Sequence, residues 1–207
     1  MSVAVSAALG APITHLLYLH GFRSSPQSTK ARKFSAWVAS HRPDVAWLCP
    51  QLDASPARAM RDVEAAIASW PNGRMAVIGS SLGGFYATVV AERHGCRAVV
   101  LNPAVDPARD LAKAIGETTA WHSEEPFVFR PEYVEELRAM TPGPLTDPGR
   151  YFAVIAKGDK VLSWREMSGR YAGSPICLLE GSDHALTDFD VQMPEVLAFL
   201  GLAASSR

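Results

Sequence analysis

A chain of 207 residues that is 48% hydrophobic and 20% charged carries enough apolar material for one sizeable core. With 20 Lys+Arg against 21 Asp+Glu its formal charge is −1, so it lacks the basic footprint that binding a phosphate backbone requires, and nucleic acid is not an expected partner. Cys49, Cys96 and Cys177 stand beside apolar runs without CxxC spacing, which argues against a disulfide or zinc framework and for a reducing, cytoplasmic setting.

Met1 to Pro12 is small and apolar, lacks the basic n-region of a signal peptide, and reads as a loosely packed extension. No apolar run approaches the roughly 20 residues needed to cross a bilayer. His15 to His20, ending at Gly21, reads as a buried strand. Ser25-Pro26 then predicts an N-cap with proline at the first helical position, and Ala31, Phe34, Trp37 and Val38 share one apolar face of the helix that follows. The pattern repeats as strand Val45 to Leu48, helix Ser55 to Ser69, strand Met75 to Gly79, helix Leu82 to His94 and strand Ala98 to Leu101. It resumes with strand Tyr151 to Ala156, helix Trp164 to Tyr171, strand Ile176 to Leu179 and helix Val191 to Leu200. Such alternation predicts an α/β architecture, a mostly parallel sheet with helices on both faces.

Between the two series lies Pro103 to Gly149, rich in Pro, Glu and aromatics, with a helix over Pro131 to Met140 and a shorter one near Pro107 to Ile115. A structureless loop of that length is unusual in a compact domain, so the segment reads as a small helical, lid-like insertion within one domain covering 1–207.

The strand at Met75 runs into Gly79-Ser80-Ser81-Leu82-Gly83 and then into a helix, which places a G-x-S-x-G at a strand-to-helix turn. That is the setting of the nucleophile elbow of the α/β-hydrolase fold, and it makes Ser81 the candidate nucleophile rather than part of a plain Gly/Ser turn. A side chain at Gly79 or Gly83 is expected to clash with the adjoining strand or helix. His20-Gly21-Phe22 closes the first strand, where this fold supplies half of an oxyanion hole; the expected donors are the backbone N–H groups of Phe22 and Leu82. His20 itself reads as structural, tying that loop down.

Hydroxyl attack needs a base, and imidazole suits because its ordinary pKa lies near 6.5. Of the six histidines, His184 in Glu180-Gly-Ser-Asp-His184-Ala follows the last strand and is the candidate base; His15, His41, His94 and His122 read as surface or capping residues. Asp159, directly after the strand ending at Ala156, is the candidate acid that holds one tautomer of His184. Asp106 stands in reserve, and Asp183 is too near His184 in the chain to orient it. The candidate walls of a substrate pocket are Trp121, Phe127, Phe129 and Tyr133, whose alternative is a satellite core that only holds the insertion in place.

These residues resemble the YqiA/YcfP-like esterases, a compact bacterial branch of the α/β-hydrolases, over nearly the whole chain after Pro12. The resemblance rests on Tyr18-Leu-His-Gly-Phe22-Arg-Ser-Ser-Pro26, Gly79-Ser-Ser-Leu-Gly-Gly-Phe-Tyr-Ala87, Leu101-Asn-Pro-Ala104, Gly158-Asp-Lys-Val-Leu162 and Glu180-Gly-Ser-Asp-His-Ala185. It implies a cytoplasmic, cofactor-free serine hydrolase of acyl esters or of thioesters such as acyl-CoA, with Ser81, Asp159 and His184 as nucleophile, acid and base. The N-terminal extension and the aromatic stretch from Trp121 to Phe129 depart from the family.

Two other readings belong to different classes. A non-catalytic small-ligand-binding protein on the same scaffold would normally show a lost triad member, and none is lost. A nucleotide-binding protein is suggested by the Gly-rich turn and by Arg23, Lys30, Arg32 and Lys33, but there is no G-x-x-x-x-G-K-[ST], and Gly79 to Gly84 does not fit G-x-G-x-x-G. Those four charges read as the solvated face of the first helix; Arg23 or Lys30 would meet phosphates only if the substrate were an acyl-CoA.

Overall fold

A computed structural model of the chain describes residues 12–119 and 126–203. The extension before Pro12 and the candidate Trp121 lie outside them. In β1 (His15–Leu19) the period-two alternation sends Leu17 and Leu19 to one side of the sheet and Leu16 and Tyr18 to the other, and all four are buried. The same pattern runs through β3 (Met75–Ser80), β4 (Arg97–Leu101) and β7 (Tyr151–Ala156), so both faces of these strands must be covered. With β2 (Ala46–Leu48) and β8 (Ile176–Leu179) they form a six-stranded sheet of order β2-β1-β3-β4-β7-β8 in which every neighbouring pair is parallel.

Helix α1 (Thr29–His41) packs on one face through Ala31, Phe34 and Val38. The opposite face takes α2 (Pro56–Ile67), α3 (Leu82–His94), α4 (Pro107–Leu111), α5 (Pro131–Ala139) and α6 (Trp164–Arg170), while α7 (Met193–Leu200) returns to the α1 side. Handedness explains this division. The step from β1 to β2 runs one way along the sheet and the steps from β2 to β3 and β3 to β4 run the other, so crossovers of one hand must fall on opposite faces. The chain therefore diverges between β1 and β3, and the crevice at their C-terminal ends is the switch point at which open α/β sheets bind ligands.

Two elements differ from expectation. Helix α1 begins at Thr29, not at Pro26, because the Ser25 hydroxyl accepts from the Gln27 N–H at 3.1 Å and the Ser25 carbonyl from the Ser28 N–H at 3.1 Å. A single closed turn thus precedes the helix. Residues 103–149 contain, besides α4 and α5, an antiparallel hairpin of β5 (Gly116–Thr119) and β6 (Pro126–Phe129), whose four-residue strands are too short to display a period. Among the described residues no helix is long and apolar enough to cross a membrane.

Candidate active site

Ser81 joins β3 to α3 with φ 56° and ψ −121°, a conformation that an L-residue holds only when its surroundings over-determine it. Here they do. The Ser81 N–H donates to the Leu101 carbonyl at 3.0 Å, and the Ser81 carbonyl accepts from Ala104 at 3.0 Å and Gly84 at 2.8 Å. A Cβ on Gly79 would overlap the Gly83 carbonyl, and one on Gly83 would overlap the Leu19 carbonyl. As the sequence suggests, β1, β3 and α3 meet too closely for side chains at either position.

The Ser81 hydroxyl lies 3.2 Å from His184 Nε2, and His184 Nδ1 lies 2.7 Å from Asp159 Oδ2. Since Asp159 is the acceptor, Nδ1 carries the proton and Nε2 faces the serine unprotonated. The other carboxylate oxygen, Oδ1, accepts from the N–H groups of Val161 at 2.7 Å and Leu162 at 2.9 Å. Burial alone would favour the neutral acid, but the hydrogen bonds from His184, Leu162 and Val161 outweigh it and hold Asp159 below the ordinary aspartate value. The loops that carry acid and base touch: a Cβ on Gly158 would overlap the Ser182 carbonyl. Asp106, the reserve acid, instead caps α4 by accepting from the Arg109 N–H at 3.1 Å.

Gly21 abuts the elbow, with its hypothetical Cβ 3.3 Å from that of Ser81. Leu82 opens α3, so its N–H has no intrahelical partner, and neither it nor the Phe22 N–H makes a hydrogen bond among the described residues. His20, 3% exposed, secures the loop: Nε2 accepts from the Leu52 N–H at 3.1 Å, which leaves Nδ1 to donate to the Gly21 carbonyl at 3.0 Å. Burial lowers its pKa, against that carbonyl, and keeps the ring neutral.

Two cavities meet at Ser81 and His184. One, of about 290 Å³, is lined mainly by apolar groups, with Pro107, Leu111 and Ala114 from α4 and the turn after it on one side and Val161 and Leu162 on another. The second, of about 420 Å³, runs toward α1 and holds Ser24, Ser28, Lys30 and Ser80. Phe127, Phe129 and Tyr133 line neither cavity. Phe127 and Phe129 set their ring edges against Phe22 at 5.1 and 5.2 Å, and Tyr133 packs on Phe129 at 5.6 Å. The rings of Phe127, Phe129 and Tyr133 are thus satisfied by one another and by the Phe22 ring, in the manner of a satellite core.

Asn102 escaped the sequence reading of this site, and Lys30 entered it only for the case of an acyl-CoA substrate. Asn102 is fully buried at the end of β4; its Nδ2 donates to the carbonyls of Asp183 at 2.9 Å and His184 at 3.1 Å, and its Oδ1 accepts from Ala156 at 2.8 Å. It ties the loop of the candidate base to the strand that leads to the candidate acid. Its position in Leu101-Asn-Pro-Ala104 was visible, but a role that depends on contacts 81 residues away in the chain was not. Lys30, read as part of a solvated helix face, is half-buried and donates to the Ala185 carbonyl beside His184.

A family model described as an uncharacterised protein family (UPF0227) matches residues 15–201. Among solved structures, the mouse alpha/beta hydrolase domain-containing protein 10 is similar with a TM-score of 0.69 at 17% identity, covering 93% of this chain and 92% of that one. Est1E from Butyrivibrio proteoclasticus with ferulic acid bound gives 0.70 at 15% identity over 93% and 89%. A metagenome-derived structure reported under LipS and LipT, two lipolytic enzymes, gives 0.62 at 21% identity over 93% and 95%. At these identities the likeness shows the α/β-hydrolase fold, a scaffold common to esterases and lipases, and not a substrate.

Proposed function

The chain belongs to the uncharacterised protein family UPF0227, and from that membership and the site geometry we propose that it is a serine hydrolase, a carboxylesterase or thioesterase. The observation that carries this reading is the unbroken hydrogen-bond relay from Asp159 through His184 to Ser81, mounted on a strained turn. Ser81 Oγ attacks the acyl carbonyl while His184 Nε2 takes its proton, and Asp159 stabilises the imidazolium that results. The N–H groups of Phe22 and Leu82 receive the developing oxyanion, each contributing on the order of 10²–10³ in rate. His184 then protonates the leaving alcohol or thiol, and an acyl group remains on Ser81. Water activated by His184 removes it, so the cycle draws only on the chain's own groups and water.

In this reading residues 103–149 are a lid-like insertion of one α/β-hydrolase domain, and α4 forms the acyl wall through Pro107, Leu111 and Ala114. The free thiols of Cys49, Cys96 and Cys177 suit a cytoplasmic enzyme acting on small acyl esters or thioesters. A fluorophosphonate probe should attach to Ser81, and Ser81→Ala should abolish labelling and ester hydrolysis together. Labelling that persists on Ser80 in the variant would remove the assignment.

A further inference from the structure

The two cavities at Ser81 differ in chemistry. Both are walled mostly by apolar groups, but the one beneath α4 carries Asp110 and Lys113, one charge of each sign, whereas the one toward α1 presents the hydroxyls of Ser24, Ser28 and Ser80 together with one cation, Lys30, and no carboxylate. Lys33, one turn further on, is neutralised by Asp190 at 2.6 Å. Lys30 donates to the Ala185 carbonyl and forms no salt bridge among the described residues. Burial pushes its ammonium down to about 8, an effect that Asp183 opposes from a distance and Lys33 reinforces. Withdrawing a cation from water without a carboxylate in contact costs stability, so a chain that keeps one beside its nucleophile gains something else from it. An ammonium has three donors; one is spent on Ala185, which leaves two for the cavity.

Resting on the reading of Ser81 as nucleophile, we propose that the cavity toward α1 is a subsite for a carboxylate of the substrate, held by Lys30 and flanked by the hydroxyls of Ser24 and Ser28. The preferred ester then joins an apolar group on the α4 side of the scissile bond to a singly charged group on the α1 side. One ammonium with neutral hydroxyls matches the single charge of a carboxylate better than the double charge of a phosphate monoester.

Matched neutral and charged esters test this. With charge on the alcohol side the pair is 3-carboxyphenyl butyrate and 3-carbamoylphenyl butyrate; with charge on the acyl side it is phenyl hemisuccinate and phenyl succinamate. Because α4 forms the acyl wall, the wild-type protein should favour the carboxylate over its amide isostere in the first pair, in kcat/KM by on the order of tenfold to a hundredfold, the range of a hydrogen bond to a charged group, and should show no such preference in the second. Lys30→Met should bring that ratio to one or below, and Lys30→Arg should retain it. A wild-type ratio near one in the first pair, or a preference confined to the second, would overturn the proposal, and either decides it even where Lys30→Met does not fold. Equal losses on charged and neutral esters in Lys30→Met would also overturn it, reducing Lys30 to a clamp on the His184 loop. Fluorophosphonate labelling of the same preparation keeps the two readings apart. A labelled, active enzyme without charge preference overturns the subsite alone, whereas an unlabelled protein that turns over no ester overturns the subsite and the serine hydrolase reading together.

Discussion

Ser81 holds a backbone conformation that costs on the order of 1–3 kcal/mol, and the hydrogen bonds to Leu101, Ala104 and Gly84 keep it there. Its partners are fixed as firmly, since both carboxylate oxygens of Asp159 are occupied and the side chain is 0% exposed. Asp159→Asn keeps the shape but permits the wrong tautomer of His184, so turnover should fall by on the order of 10⁴ while the protein still folds. If Asp106→Asn produced that loss and Asp159→Asn did not, the acid would be misassigned. Asn102→Asp is expected to act differently. It turns a donor facing two carbonyls into an acceptor, so the His184 loop should loosen, with a fall in stability of about 1–3 kcal/mol per unsatisfied buried group and a lower kcat. A native melting temperature with unchanged kcat in Asn102→Asp would show that the loop is held by other means. Ser81, Asp159 and His184 could be proposed from the sequence because each lies within five residues of the end of a strand whose apolar run can be recognised locally. Asn102 and the bond from Lys30 to Ala185 could not be, because Asp183, His184 and Ala185 come near these side chains only once the sheet has formed.

Helix α4 and the hairpin both lie within residues 103–149 but stand in different relations to Ser81. Leu111 of α4 faces the cavity, while Phe129 of β6 is 1% exposed in the cluster behind Phe22. Leu111→Ala should therefore change discrimination between short and long acyl chains, by about 1–3 kcal/mol where a methylene contact is lost. Phe129→Ala should instead lower stability by about 3–5 kcal/mol, a drop of roughly 10 °C in melting temperature, and leave the chain-length ratios of kcat/KM alone. Reversed results in these two variants would return the acyl wall to the aromatic residues. Helix α5 is anchored separately, for Glu136 accepts from the Ser55 hydroxyl at 2.7 Å and the Ala57 N–H at 2.9 Å at the start of α2. Long helices were readable where a 3.6-residue period marks one apolar face, as Ala59, Met60, Val63 and Ile67 do in α2, whereas α3 is buried on all sides from Leu82 to Ala91 and was readable from its place after the elbow. The hairpin was not, since alternation over Gly116 to Thr119 is shorter than the window in which a period can be told from chance.

Across the whole sheet, the order β2-β1-β3-β4-β7-β8 brings the ends of β1, β3, β7 and β8 to one edge, where His20-Gly21-Phe22, Ser81, Asp159 and His184 collect. Strand alternation implied a parallel sheet, but the neighbour order rests on contacts between distant segments and is not written in any one of them. The ionisable groups of the molecule also act together. Asp159, Glu64 and Glu92 are each held below their ordinary values because hydrogen bonds from His184, from His94 and Arg93, and from Tyr151 and Thr146 outweigh burial. The folded state thus binds their protons less tightly than the unfolded chain does. The stability they contribute is complete above the unfolded carboxylate range near 4 and is lost as pH falls through the folded values. Melting temperature should accordingly decline on acidification below about pH 5, and a rise in that range would contradict the assignment.

The covalent intermediate is the most direct test of the whole account. The protein is mixed with p-nitrophenyl butyrate, quenched in acid during turnover, and mapped by peptide mass spectrometry. One butyryl group on Ser81, absent from Ser81→Ala along with hydrolysis, is the result expected. A butyryl group on any other residue, or full-rate hydrolysis by Ser81→Ala, would contradict it.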